Sequence, residues 1–190
     1  MAQRLSIQLV FEQVKSNADS EGVFEVHFQK HWPRIYGVLF RMVGDAAEAE
    51  DLALEVFWQL YQKSAAKRGM EIENLAGWLY RVAVNMGYNA LRSRKRRHRY
   101  ELEAGYLSQA QTSWADPAAV MEQSQQREAV RYVLAQMKPR AAQVLVLRHS
   151  GMSYSEIAEA LQLSPGSIGT ILARAEEEFE RVFKREVNYG

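Results

Sequence analysis

The sequence predicts an all-α protein of two small helical domains joined by a linker. Three observations carry this expectation. Apolar residues recur at steps of three and four along most of the chain, the period of a one-sided helix. Helix-start signals recur too, at Asp45-x-x-Glu48, Ser153-x-x-Glu156 and Ser164-Pro165. Between Tyr100 and Asp116 the periodicity fades into Gly, Ser, Gln and Thr. A structureless stretch of that length is uncommon inside one compact domain. The expected division is therefore a domain over 1–99, a linker over 100–116 and a domain over 117–190. The 190 residues, 47% of them apolar, suffice for two small cores.

Taken in order, Leu9, Val10 and Val14 suggest a short helix ending near Asn17-Ala18-Asp19. From Val23 the pattern strengthens through Phe24, Phe28, Ile35, Val38, Leu39 and Met42. Pro33 interrupts it, which predicts a kink or two helices meeting there. Gly44 suits a helix C-terminus that needs positive φ, and Asp45 opens the next helix, over about 46–63. That helix is acidic early, with Glu48, Glu50, Asp51 and Glu55, as the helix dipole favours. Leu52, Val56 and Leu60 mark its apolar face. Phe57 and Tyr61 are expected in the core and Trp58 nearer the surface. Residues 64–73 read as a loop.

Asn74 to Arg99 is the most informative stretch. Leu75, Trp78, Leu79, Val82, Met86 and Ala90 fall on one helical face, and Arg81, Asn85, Tyr88 and Arg92 share another. Then Arg92, Arg94, Lys95, Arg96, Arg97 and Arg99 follow within eight positions, with no acid among them. Cations favour a helix C-terminus, and one or two would need no other reason. Six together, in a chain of net charge +1, suit an anionic polymer, and nucleic acid fits best.

In the second half, Asp116-Pro117 opens a helix running to about Met137, and Lys138-Pro139 restarts the chain. Ala142, Val144, Leu145 and Leu147 carry the next helix to Arg148-His149-Ser150-Gly151. Ser153 to Glu156 is a capping box, and Ile157, Ala158 and Leu161 face inward. Ser164-Pro165 opens a further helix with Ile168, Ile171, Leu172 and Ala175 on its apolar side, continuing to Phe179 and Val182. A short helix, a tight turn and a second capped helix have the spacing of a helix-turn-helix. A plain helical hairpin is the alternative. Between Gly151 and Ala175 the one cation is Arg174. The recognition helix thus offers Ser164, Ser167, Thr170 and Arg174, with Arg127, Arg131, Lys138, Arg140 and Arg148 preceding it.

Other classes find little support. There is no cysteine, hence no disulfide and no Cys-based zinc site. No apolar run approaches the roughly 20 residues of a membrane span, and the N-terminus lacks signal-peptide character. A cytoplasmic protein with no membrane partner is expected. His27 and His31 stand at i and i+4 without an acidic third ligand beside them, so they read as ordinary helix-face histidines. No Gly-rich phosphate loop or catalytic constellation converges, so the expectation is no enzyme, no metal and no cofactor.

A basic, Trp-anchored helical domain, a linker and a helix-turn-helix together resemble a bacterial RNA polymerase sigma factor of the sigma-70 family, extracytoplasmic-function type. The resemblance covers about 8–187. Ala49-Glu50-Asp51-Leu52 with Glu55-Val56-Phe57 looks like region 2.2. Trp78 to Ala83 with Asn85 looks like the end of region 2.3 entering 2.4, and Ser153 to Ala175 looks like region 4.2. The resemblance implies a function: binding core RNA polymerase and directing initiation at promoter DNA. It implies polymerase contacts at Glu50, Asp51, Leu54, Glu55 and Trp58, on the β′ clamp coiled coil, with the β flap as a second anchor. It implies minus-ten contacts from Tyr80, Arg81, Asn85, Tyr88, Arg92, Arg94, Lys95, Arg96, Arg97 and the loop 63–73, with Asn85 helping to hold a flipped base. It implies minus-thirty-five contacts from Arg140, Ser164, Gly166, Ser167, Thr170 and Arg174. The linker would thread the polymerase cleft, and an anti-sigma protein is a further implied partner. Four positions depart from the family pattern. Leu54 stands where Gln is common, Asn89 where Asp is usual, and Gly169 and Ile171 where the recognition helix is usually basic. A sigma-derived adaptor and a stand-alone helix-turn-helix regulator remain as alternatives.

Overall fold

Helix ends fall largely where local chemistry predicts them. The computed structural model describes residues 18–66, 72–103 and 117–188. The expected helix around Leu9 and most of the expected linker lie outside the described residues. Helix α1 spans Ala18–Val43. It passes through Pro33 as one helix, where the sequence suggested a kink or two helices. Pro33 is exposed, so the carbonyl it leaves unpaired, that of Gln29, stays within reach of water. Gly44, at φ +74°, ends the helix with its N–H on the Phe40 carbonyl, 2.8 Å away. Helix α2, Ala46–Ala66, starts on Asp45, whose Oδ1 accepts the Glu48 N–H at 2.8 Å. It runs further than the sequence suggested, into the expected loop.

Helix α3, Leu75–Glu103, is capped by Asn74, whose Oδ1 accepts the Gly77 N–H at 2.7 Å. It continues to Glu103, into the expected linker. Helices α1, α2 and α3 pack on one another around Ile35, Leu39, Met42, Val56, Phe57 and Leu79. Burying each such side chain stabilises by about 1.5–3 kcal/mol. Phe28, Trp32, Tyr36 and Phe40, four apart on α1, stack in series, and Phe57 of α2 closes on Phe28 at 4.8 Å. At Gly87 the α1 side chains Met42 and Leu39 press so close on α3 that a Cβ would fall 2.7 Å from Met42 Sδ.

The second half comprises α4 (Pro117–Gln136), α5 (Pro139–His149), α6 (Tyr154–Leu161) and α7 (Pro165–Asn188). Its core is formed by Val133, Met137, Val144, Leu147, Ile157, Ile168 and Leu172. The two halves also pack on each other: α3 lies against α1 and α2 on one side and α4, α5 and α6 on the other. This explains a misreading of α3. Leu79 is fully buried, as expected, but Tyr88, placed on the polar face, is buried as well. A second stripe, Tyr80, Val84, Tyr88 and Leu91, is covered by the other half. No described helix is long and apolar enough to cross a membrane.

Candidate nucleic-acid interface

The expected DNA-reading residues of α3 fall into two groups. Arg81 is half-buried, and Arg92, Arg96 and Arg97 are exposed, as the snorkelling of long cationic side chains allows. The others are engaged. Arg94 reaches the C-terminus of α1 and donates to the Val43 carbonyl at 2.8 Å, a favourable place for a cation. Lys95 lies 5.7 Å from the centre of the Tyr132 ring of α4. Tyr88, 5% exposed, donates its hydroxyl to the Met137 carbonyl at 2.6 Å. Burial raises the Tyr88 pKa, partly offset by Arg92 and reinforced by Glu178. Tyr80, 9% exposed, lines a cavity of about 350 Å³ with Arg34, Arg41, Ser150, Met152 and Glu156. Asn85 keeps an exposed side chain, but its Oδ1 accepts Gln143 Nε2 of α5 at 2.6 Å.

Gln143 is the one buried polar residue among those described, at 6% exposure. A buried amide without a partner is costly, and Asn85 supplies that partner. Arg41 also reaches Ser150 Oγ across the same boundary, at 3.3 Å. The Arg131 guanidinium sits over Gly44, and burial together with nearby Arg94 lowers its pKa. In the sequence the amide and the cations read as a nucleic-acid face. It did not reveal that α4, α5 and α6 cover part of it, although the four-residue spacing of Tyr80, Val84 and Tyr88 was a legible signal of a second buried stripe.

The helix-turn-helix is built as the caps predict. Ser153 Oγ accepts the Glu156 N–H, while Glu156 Oε2 accepts the Ser153 N–H at 2.8 Å. These bonds, backbone first, hold the Glu156 carboxyl below its usual pKa. Gln162, at φ 55°, ends α6 in the left-handed conformation, and Leu163 N–H returns to the Ala158 carbonyl at 2.8 Å. Helix α7 then starts at Pro165, with Ser164, Gly166, Thr170 and Arg174 exposed and Ser167 half-buried. Ser167 is committed locally, its hydroxyl donating to the Ser164 carbonyl at 2.7 Å. Arg140, expected at DNA, instead donates to the Leu161 carbonyl at 2.8 Å and so caps α6. The sequence did not single out Tyr154. Its ring packs beside Gly169, and the Arg148 guanidinium lies 5.4 Å from the ring centre. That contact brings a cation next to a recognition helix poor in them.

The residues expected to meet polymerase line α2. Asp51 and Glu55 are exposed, Glu50, Leu54 and Trp58 are half-buried, and Trp58 stacks on Tyr61 at 5.5 Å. His27 and His31 stack on one face of α1 with ring centres 6.2 Å apart, and burial, then Lys30, lowers the His31 pKa. Among the described residues no group of three or more His, Cys, Asp or Glu is placed to hold a metal.

Comparison with known proteins agrees with this geometry. The sigma-70 region 2 family matches residues 27–97 and the sigma-70 region 4 family matches 127–179. RNA polymerase sigma factor CarQ of Myxococcus xanthus is 30% identical, over 78% of this chain and 82% of its own length. RNA polymerase sigma-H factor of Pseudomonas aeruginosa is 28% identical, over 85% of this chain and 86% of its own. ECF RNA polymerase sigma factor SigG of Mycobacterium tuberculosis is 27% identical over 86% of this chain, which spans 50% of that relative. Among solved structures, the sigma factor RpoE of Bartonella quintana, in complex with the anti-sigma factor NepR, shares the fold. Its TM-score is 0.51 at 18% identity, covering 85% of this chain and 96% of that one. The two helical units, the helix ending in a basic run and the capped helix-turn-helix belong together: the chain is a member of the sigma-70 family, an extracytoplasmic-function sigma factor that directs transcription initiation at promoters.

Proposed function

We propose that residues 1–99 act as region 2, 100–116 as a linker through the polymerase cleft and 117–190 as region 4. In this reading α2 grips the β′ clamp coiled coil through Glu50, Asp51, Leu54, Glu55 and Trp58, and the second half meets the β flap. Asn85 reads an extruded minus-ten base, with Tyr80, Arg81 and Tyr88 beside it and Arg92, Arg94, Lys95, Arg96 and Arg97 holding the backbone. Ser164, Gly166, Ser167, Thr170, Arg174 and Arg140 address the minus-thirty-five element. An anti-sigma protein, of the kind that accompanies the Bartonella factor, is the proposed regulator.

The observation that carries this reading is α3 itself. One continuous helix carries the Asn85 amide two turns before exposed Arg92, with Arg96 and Arg97 beyond it, and this spacing supports the reading. An opened strand needs both kinds of contact, a pocket for a base edge and cations for the phosphates. The test is run-off transcription with purified bacterial core polymerase on a set of promoter fragments. Specific transcripts should appear with this protein and fall about tenfold or more in Asn85→Ala and in Arg96→Gln/Arg97→Gln. Core binding without initiation at any promoter would overturn it in favour of an adaptor, with Gly169 and Ile171 as the reason.

A further inference from the structure

We propose that the cavity between α1, α4, α5 and α7 is a binding site for a single-chain apolar anion, a fatty carboxylate taken up as a free molecule from solution. The cavity holds about 890 Å³, within the range of about 300–1,000 Å³ typical of small-molecule sites. None of the residues proposed to meet DNA or polymerase lines it.

Its floor is apolar. Leu134, Leu145 and Val146 are buried there, with Phe179 half-buried beside them. Phe40 of α1 and Val130 of α4 also line it, yet the fold leaves both exposed. Phe40 ends the aromatic series of α1, stacked on Tyr36 at 6.0 Å, so packing holds this wall in place. An alkyl chain laid along these residues would take itself and them out of water.

The rim has the opposite chemistry. Arg41, Arg127 and Arg131 line it with His149, against one acid, Glu176. Arg131 matters most. It is half-buried, and Gly44, lacking a side chain, leaves room for its guanidinium. Among the described residues no hydrogen bond or salt bridge holds that guanidinium, and Glu128 acts on it only through its field. Burial first, then Arg94, disfavours its charge, and Glu128 offsets only part of this. A carboxylate at the rim would accept a forked pair of bonds from a guanidinium and supply the missing negative charge. The cations thus fix the sign of the head group, and the apolar floor fixes the nature of the tail.

The test is calorimetric titration of the full chain with sodium dodecanoate below its critical micelle concentration. One saturable site per chain is expected. Decanoate, two methylenes shorter, should bind about tenfold more weakly. Dodecyltrimethylammonium, with the same chain and the opposite charge, should also bind about tenfold more weakly or worse. Arg131→Gln should weaken dodecanoate by about tenfold, while changing the affinity for uncharged decanol by less than about twofold. Val130→Glu sets an acid in the cavity from an exposed position, where the chain folds as before, and should weaken dodecanoate to a similar degree. It keeps the test decisive even if Arg131→Gln does not fold. No saturable binding, equal affinity for the carboxylate and the ammonium, or unchanged dodecanoate affinity in Val130→Glu would each overturn the site.

Discussion

The face of α3 proposed to read an opened strand and the start of α7 are both candidate DNA surfaces, yet the fold treats them oppositely. On α3, Tyr80, Asn85, Tyr88 and Lys95 are engaged by the other half. On α7, Ser164, Gly166, Thr170 and Arg174 stand exposed. Their charges differ as well: six cations crowd Arg92 to Arg99, against Arg174 alone between Gly151 and Ala175. Non-specific attraction to nucleic acid grows with the number of phosphates a surface neutralises. The difference teaches that on α3 the fold leaves the cations Arg92, Arg96 and Arg97 exposed and engages the tyrosines and the amide that precede them, whereas at the start of α7 the polar side chains stand open.

If the halves form one unit, removing core from either should weaken both. Leu79→Ala in α3 and Ile168→Ala in α7, each at fully buried sites, should each cost about 2–5 kcal/mol. Denaturant unfolding should show a single transition shifted in both variants; two separate transitions, each moved by one variant only, would break the comparison. Tyr88→Phe, which removes the hydroxyl from the Met137 carbonyl, should cost about 1–3 kcal/mol. Because burial raises the Tyr88 pKa, its contribution is complete below the ordinary tyrosine value near 10. It is lost as pH rises through the raised folded value, so an alkaline stability titration should fall more steeply in the unaltered chain than in Tyr88→Phe. The smallest effect lies on the open side. Gly169→Ala should stabilise by about 0.5–1 kcal/mol in a thermal melt, since a Cβ there meets the Tyr154 ring at an ordinary 3.6 Å and helix propensity improves. A loss of stability would show that Tyr154 packs on Gly169 more tightly than that distance allows.

Much of this was legible in the residues. Gly44, Asp45, the Ser153–Glu156 box and Pro165 end or start helices as their chemistry demands, because caps act within one turn and need no tertiary context. Pro33 was misleading for a physical reason: its exposed position lets one helix continue through it. Side chains with a tertiary partner were the hard cases. Arg140 and Arg94 look like phosphate ligands in a sequence, yet here each donates to a helix-end carbonyl, on Leu161 and Val43. An arginine's long reach makes both uses compatible with the same local pattern. The Gln143–Asn85 pair, 58 positions apart, had no local signature at all.

Helix α7 carries one last consequence, a matter of aiming. It runs unbroken from Pro165 to Asn188, and Val182, near its far end, is buried. At 1.5 Å per residue Val182 lies about 26 Å from Pro165. A sideways displacement of about 1 Å at Val182 therefore turns the recognition end by only about 2°, a few times less than the same slip would turn a helix of two turns. The tail beyond Ala175, far from the turn, thus sets the angular precision with which Ser164 and Thr170 are presented.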